Sequence, residues 1–310
     1  MIEIDLKSTI KTALNQFPTI KQIVPLENLI YIIDKDPRSP IIYYLSRSLP
    51  DESKVKELVA VLEENPKHVG ALLILDHILR PYYIFKHLDS CLSVIKGQGK
   101  LDAFLTHLLD KNSFWQGYCE IEVASNLKKV FGTVELEPKL PNGKLVDIKF
   151  PLGSKEVFVE VTTPKKNYKF VKAMEESAET GRAVKLDAPV ERASDKILTE
   201  LEHFSEVLDE VQSIIIVNLN ETEIEDIDIE DSLLGISKLV VLTNRLTGEV
   251  QTRVGREDWT AFSRDSKLAK IGAIICYGRE FALNGDIVYN KRIFAMSFEK
   301  EKYQPLIKLF

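Results

Sequence analysis

Two acidic side chains stand in short apolar stretches that predict neighbouring strands. Asp147 lies in the run 145–150 and Glu160 in the run 157–162, with Gly153 in the short turn between them. An ionised carboxylate in an apolar strand is costly unless it is paired or coordinates a metal. A hairpin would bring the two acids side by side, and a divalent cation between them would remove their mutual repulsion.

Glu120 supplies a third candidate ligand. Residues 113–131 predict one amphipathic helix that ends at Gly132, because apolar residues recur on one side at helical spacing. Glu120 shares a row with Gly117 and Leu127, the side expected to face the sheet, so it also needs a partner. Hard cations such as Mg²⁺ bind a few carboxylate oxygens plus waters and promote phosphodiester hydrolysis. The three acids therefore predict a catalytic metal site.

The periodicity of the chain predicts two domains. Residues 1–111 carry apolar residues at three- and four-residue intervals, as helices do, whereas residues 112–310 mix helical and strand-like runs. The second part predicts an α/β domain with a central mixed sheet flanked by helices. A helix at 190–210 precedes a strand at 213–220, and the acidic run 221–231 is predicted to cap the next helix.

The helical part contains an internal repeat. Residues 29–49 align with residues 58–78, and each unit predicts two helices separated by an Asp-Pro or Asn-Pro break. The units resemble tetratricopeptide-type repeats, although their spacing is shorter than that family's. A platform for a protein partner and a plain helical bundle packed on the second domain both remain open interpretations.

In order and spacing, the acids resemble the PD-(D/E)XK, or restriction-endonuclease-like, nuclease superfamily. The matching positions are Glu120 in "EIEVASNL", Asp147 in "VDIKF" and Glu160 with Val161 in "FVEVTTPKK". The resemblance covers residues 113–220 and implies a restriction-endonuclease-like core. It further implies a Mg²⁺ or Mn²⁺ site at Glu120, Asp147, Glu160 and the Val161 carbonyl, with Asp147 and Glu160 catalytic. The implied activity is metal-dependent hydrolysis of nucleic acid, with DNA favoured, and a homodimer is one implied assembly.

Thr162 departs from the pattern, since it stands where the family has its lysine. Lys165 or Lys166, just past the strand, could replace that lysine, and so could Lys196 on the predicted crossover helix. Lys165 and Lys196 are therefore predicted to assist catalysis. If no lysine reaches the metal, the alternative is a degenerate nuclease fold that binds nucleic acid or a protein partner without cleavage.

A structural interpretation of the same acids is also open. In it Asp147 starts a turn, Glu160 pairs with a lysine such as Lys149, and the α/β domain binds neither metal nor nucleic acid.

Positive charge is concentrated around the acids. Residues 139–172 contain eight lysines against three acidic residues, although the whole chain has a net charge of −6. Such lysines, with aromatic residues interleaved, could hold a nucleic-acid strand by phosphate neutralisation and base stacking. The predicted nucleic-acid-binding residues are Lys149, Lys165, Lys166, Tyr168, Lys169 and Lys172.

Several other classes are disfavoured. The five histidines form no HxH or HExxH pair, and the three cysteines are far apart, which predicts buried free thiols instead of a zinc or disulfide framework. No apolar run approaches the roughly 18 residues of a membrane span. The first residues lack a basic segment followed by an apolar run, so we expect a cytoplasmic protein without membrane contact.

Overall fold

The structure is a computed structural model. It describes residues 5–48, 52–64, 77, 79–164, 189–220, 222, 224–234, 237–243, 250–256, 261–282, 284–297 and 304–309. The helices of this part are α1 (Leu6–Leu14), α2 (Pro18–Ile23), α3 (Leu26–Lys35), α4 (Pro40–Arg47), α5 (Glu52–Glu64), α6 (Arg80–Ile95), α7 (Leu101–Leu109), α8 (Phe114–Phe131), α9 (Pro189–Phe204), α10 (Asp226–Leu234) and α11 (Ala261–Arg264), with 3-10 turns at Ser266–Lys270 and Gln304–Lys308. The strands are β1 (Glu135–Leu136), β2 (Ile148–Leu152), β3 (Lys155–Thr162), β4 (Gln212–Asn218), β5 (Ser237–Thr243), β6 (Val250–Arg256), β7 (Ala273–Phe281) and β8 (Ile287–Ala295).

A six-stranded mixed sheet forms the centre of the fold, which confirms the predicted α/β architecture. Its strand order is β1-β2-β3-β4-β7-β8, and β5 pairs with β6 in a separate two-stranded ribbon. β3, β4 and β7 run parallel, whereas the pairs β1–β2, β2–β3 and β7–β8 are antiparallel. Parallel pairing of β3 with β4 requires a crossover connection, which contains α9.

Alternating side chains of the central strands build a core on each face of the sheet. Val157, Val159 and Val161 of β3 join a cluster with α8 and the N-terminal helices, whereas Phe158 joins a cluster with α9, α10 and α11. Residues buried on both faces explain why β4 is apolar almost throughout. Because the first cluster is continuous from Ile10 to the sheet, the helices and the sheet share a core. The division at residues 111 and 112 stays a prediction.

Several predicted elements are confirmed. The helix at 113–131 is α8, and α10 begins at Asp226 inside the acidic run. In the first repeat unit, α3 ends before Asp36 and α4 starts with Pro40, as the proline pattern predicts. Most of the second helix of the other unit lies outside the described residues. All three cysteines are buried thiols that form no disulfide.

The strand predicted at 145–150 begins later than expected. β2 starts at Ile148, so Asp147 lies just before the strand and not within it. The Asp147 carboxylate accepts a hydrogen bond of 2.7 Å from the Val161 backbone N–H, which therefore does not continue the backbone ladder. The prediction that Asp147 lies inside a strand was wrong for this reason.

A buried ion pair and two hydrogen bonds connect α8 to strands β7 and β8. The Glu122 carboxylate accepts hydrogen bonds from the Arg279 guanidinium and from the Tyr277 and Tyr289 hydroxyls, the latter two at 2.9 and 2.8 Å. Both partners of the ion pair are almost completely enclosed, with side chains at most 2% exposed. Burial opposes ionisation of Glu122, but the charges of Arg279 and His87 hold the pKa of that carboxyl below its usual range.

We expect Arg279→Leu to lower the free energy of unfolding by about 3–5 kcal/mol, because it leaves the Glu122 charge buried without a partner. Glu122→Leu in the same chain should recover part of that loss. Urea denaturation measures both. Lys270→Ala removes an exposed pair with Asp209 and should change stability by less than about 1 kcal/mol. Equal effects of the Arg279 and Lys270 substitutions would contradict the prediction.

Helices α7 and α8 approach closely at Gly117. A Cβ atom added there would lie 2.4 Å from the Leu108 backbone nitrogen and 2.8 Å from the Phe104 carbonyl oxygen. Backbone atoms cannot yield as a flexible side chain would. Glycine at this position therefore fixes the distance between α7, which carries His107, and α8, which carries Glu120.

Gly117→Ala should destabilise the protein by about 2 kcal/mol or more, since the helices must move apart to accept the methyl group. Thermal and chemical denaturation would measure this loss. Gly97→Ala is a matched control, because an added Cβ there has no neighbour within 4 Å. If both alanine variants were equally stable, the close approach would not constrain the fold.

Candidate metal centre

The β2–β3 hairpin brings Asp147 and Glu160 together. Its register ends at the pair Ile148–Val159, and Asp147, the next residue, accepts a hydrogen bond from the Val161 backbone N–H beside Glu160. The two carboxyl groups lie close enough for each to change the pKa of the other. The hairpin turn is short, and Gly153 adopts a positive φ of 64° that favours glycine. The predicted juxtaposition of the two acids is therefore present.

Glu120 reaches the same place from α8 and is 1% exposed. Its carboxylate lies 2.8 Å from the His107 Nδ1 atom of α7 and accepts a hydrogen bond of 2.8 Å from the Gln116 side chain. The Gln116 amide also donates to the Val161 carbonyl at 2.6 Å and accepts from the Thr163 backbone N–H at 2.9 Å. These bonds fix α8 against the end of β3.

Helix α9 contributes three polar side chains from the other face. Glu200 accepts hydrogen bonds from the Thr162 hydroxyl at 2.9 Å and from the Lys196 ammonium at 2.6 Å. The His203 imidazole is hydrogen-bonded through Nδ1 to Glu160. The hairpin and both flanking helices thus converge on one end of the sheet.

Crowding of the acids changes their proton affinities. Burial raises the pKa of Glu160 to about 8, and the nearby Glu200 and Glu120 add to the increase. Burial, followed by the charges of Glu160 and Glu120, raises the pKa of Asp147 well above its usual range. The hydrogen bond to Glu120 raises the pKa of His107. The cluster therefore retains protons that isolated acids would have lost.

The donor chemistry of one group of side chains fits a divalent cation. One ligand atom from each of Glu160, Glu200 and His203 lies within 4.8 Å of the others. The predicted set of Glu120, Asp147 and Glu160 shares Glu160 with this group, and its carboxylates influence one another electrostatically. Carboxylates alone suit Mg²⁺ and Mn²⁺, whereas an imidazole ligand favours transition metals.

The other predicted residues lie in varied positions. Lys196 lies at the edge of the acid cluster, where its charge acts on Glu160. Lys149 forms ion pairs of 2.8 Å with Glu135 and 3.0 Å with Glu156. The predicted residues that fall outside the described part of the chain are Lys165, Lys166, Tyr168, Lys169 and Lys172.

Four polar residues of the cluster were not predicted: His107, Gln116, Glu200 and His203. A signal existed for two of them, because residues 196, 200 and 203 share one face of a helix. No comparable signal marked His107, which reaches Glu120 only through the packing of α7 on α8.

Comparisons with known proteins identify no family. No family model matches the sequence, and no curated protein matches it. One similar solved structure is that of Pyrococcus furiosus SfsA in complex with Ca²⁺, which is 16% identical with a TM-score of 0.28. The match covers 58% of this chain and 63% of SfsA, so the chain spans less than two thirds of that protein. None of the helices in the described part of the chain is both long and apolar enough to span a bilayer.

The raised pKa values predict an unusual pH dependence of stability in metal-free buffer. The unfolded chain loses the Glu160 proton near the ordinary pKa of 4.5, whereas the folded protein keeps it until about 8. The contribution of the Glu160 proton to stability is therefore fully present below about pH 4.5 and is lost as the pH rises through about 8. We expect the melting temperature in EDTA to fall by about 5 °C or more between pH 6 and pH 9.

Glu160→Gln should flatten this decline, because it removes the titrating group and one source of repulsion on Asp147. Glu156→Gln, on the exposed part of the same strand, is the matched control and should keep the wild-type slope. A divalent cation should restore stability at pH 9 if it binds the folded state. Parallel melting curves for wild type and Glu160→Gln would contradict the proton assignment.

Proposed function

We propose that this protein is a metal-dependent nuclease that hydrolyses phosphodiester bonds, with DNA as the favoured substrate. The observation that carries the proposal is the convergence of Glu120, Asp147 and Glu160 at one end of the sheet, where burial and nearby acids raise the pKa values of Asp147 and Glu160. Buried carboxylates without a buried cationic partner are a stable arrangement when a divalent cation binds between them.

The order of the elements supports a restriction-endonuclease-like core. Along the chain, a helix with Glu120 precedes a hairpin with Asp147 and Glu160, and a crossover helix then leads to a parallel strand. This is the sequence of elements that the resemblance implies. The end of β3 lies beside the parallel strand β4, so substrate would reach the acids from the carboxyl ends of the parallel strands.

Each residue has a distinct role in the proposed reaction. Glu120, Asp147 and Glu160 would hold Mg²⁺ or Mn²⁺, and the second lone pair of the Val161 carbonyl could complete the ligand set. When bound, the ion supplies a water of lowered pKa and neutralises charge on the phosphate. Lys196, on α9, would offset negative charge that develops on the phosphate. Lys165 is also predicted to assist catalysis.

A binding module without cleavage is the second candidate. Thr162 occupies the lysine position of the family motif, and its hydroxyl is bound to Glu200. The Lys196 ammonium is bound to the same carboxylate. If both contacts persist with substrate, neither Thr162 nor Lys196 assists the reaction, and the domain would hold nucleic acid without cutting it. A protein partner on the N-terminal helices, a homodimer and a cytoplasmic location also stay predictions.

Cleavage assays test the proposal directly. Labelled single-stranded, double-stranded and branched DNA and RNA are incubated with the protein in Mg²⁺, Mn²⁺ or EDTA. We expect cleavage in the metal buffers alone, and a loss of about a hundredfold or more in rate for Asp147→Asn, because a metal ligand is removed. Asp209→Asn, an exposed acid at the other end of the sheet, is the control and should cleave normally.

Two results would count against a nuclease. Cleavage that survives Asp147→Asn or EDTA would indicate a different site or a contaminant. Retained nucleic-acid binding with no cleavage of any substrate would favour the binding module, and restoring a lysine through Thr162→Lys would then test whether that position limits activity.

A further inference from the structure

A second site lies beside the acid cluster. A cavity of about 410 Å³ opens between the start of α6, the start of α8 and the carboxyl ends of β4 and β7. This volume falls in the range of small-molecule sites. Trp115 lines the cavity, and the next residue, Gln116, binds both Glu120 and the Val161 carbonyl of the metal centre. The two sites therefore adjoin along α8.

The walls of the cavity are flat and aromatic. Trp115, Tyr83 and Phe281 line it, and the rings of Tyr83 and Phe281 are nearly parallel with centroids 6.0 Å apart. Trp115 and Phe281 are only partly buried, so the rings can be reached by a ligand. Aromatic walls favour a planar ligand that can stack on them.

The charges on the walls offset one another. The Arg279 guanidinium is bound to Glu122, which neutralises its charge, and it lies over the Tyr118 and Phe281 rings. Glu280 adds a carboxylate to the lining and Arg80 adds a guanidinium. The ligand is therefore recognised by shape and by polar edges more than by charge.

Asn220 provides such an edge. Its side chain accepts a hydrogen bond of 2.9 Å from the Arg279 N–H and donates one of 2.7 Å to the Arg279 carbonyl. A primary amide has two N–H donors and two acceptor lone pairs, so one donor and one acceptor remain for a ligand. The orientation of this amide is fixed by β7. The remaining donor and acceptor point to opposite sides of the amide, because the Arg279 backbone occupies the edge where the two lie side by side. Either one can form a single hydrogen bond to a polar atom of a nucleobase.

We propose that this cavity binds an unpaired nucleobase of the nucleic-acid strand whose phosphodiester lies at the metal centre. This rests on the proposed function, and it adds the substrate class: a base can enter the cavity only from a single strand or after extrusion from a duplex. The base stacks on the exposed aromatic wall while Asn220 forms one hydrogen bond to its polar edge, which positions the strand across α8.

Binding measurements in EDTA test the cavity separately from cleavage. The probes are a labelled single-stranded oligodeoxynucleotide, the same oligonucleotide with abasic sites in place of its bases, and a free nucleoside monophosphate. Ala282→Phe fills the cavity, since Ala282 lines it and its hydrogen bonds come from the backbone. Ala269→Phe, an exposed alanine at the opposite end of the sheet, is the matched control. Trp115→Leu removes one stacking surface but keeps an apolar side chain.

We expect Ala282→Phe and Trp115→Leu to weaken binding of the base-containing strand about tenfold, the range of one base–aromatic stack. Both should bind the abasic strand like the wild type, and Ala269→Phe should match the wild type throughout. Unchanged melting temperatures would confirm that the variants are folded. This pattern would support the cavity even if no substrate were cleaved, although the proposed catalysis would then be wrong.

Other outcomes overturn the inference. Equal binding of base-containing and abasic strands, or full affinity and cleavage in Ala282→Phe, would remove the cavity from recognition and leave the nuclease proposal intact. A nucleoside monophosphate that binds without displacing the strand would assign the cavity to a free ligand. Displacement by an aromatic peptide, with no response to nucleotides, would assign it to a protein partner.

Discussion

Repulsion among carboxylates at one end of the sheet is the constraint on which this structure depends. Asp147 lies beside Glu160 because the hairpin brings the residue before β2 to the end of β3, and Glu120 approaches them from α8. None of the three has a buried cationic side chain beside it comparable to Arg279. Their charge must therefore be balanced by retained protons or by a bound cation.

The surrounding elements supply donors to the acids without removing their capacity for a cation. His107 and Gln116 orient Glu120 from one side, and His203 orients Glu160 from the other. Both histidine side chains are more than 40% exposed, so they interact with the acids at the boundary with solvent. Groups that orient metal-binding carboxylates in this way tune the affinity for the metal, and their removal typically lowers that affinity.

Much of the architecture follows from sequence pattern, and the site follows only in part. The strand at 213–220 is clear from its continuous apolar run, because burial on both faces requires apolar side chains at successive positions. The helix at 113–131 is clear from its helical periodicity, because one face is buried. The acids Asp147 and Glu160 are conspicuous because each interrupts an apolar run. His107 could not be predicted, since its contact with Glu120 depends on how closely α7 packs against α8 at Gly117. The predicted start of β2 was too early, because the Asp147 carboxylate accepts a hydrogen bond from the Val161 backbone N–H. That N–H therefore does not pair with the backbone of the neighbouring strand.

The two buried acids of α8 show how the same side chain can have opposite roles. Glu122 and Glu120 lie two residues apart and both are almost fully buried. Glu122 has the enclosed guanidinium of Arg279 and two tyrosine hydroxyls, so it stays ionised and its charge is used to hold the helices on the sheet. Glu120 has an amide and a half-exposed histidine, and its other neighbours are acids. Burial of an acid alone therefore does not indicate a functional site. The distinguishing property is whether the protein itself provides the balancing charge, and at the Glu120 cluster the shortfall is one that a divalent cation can meet.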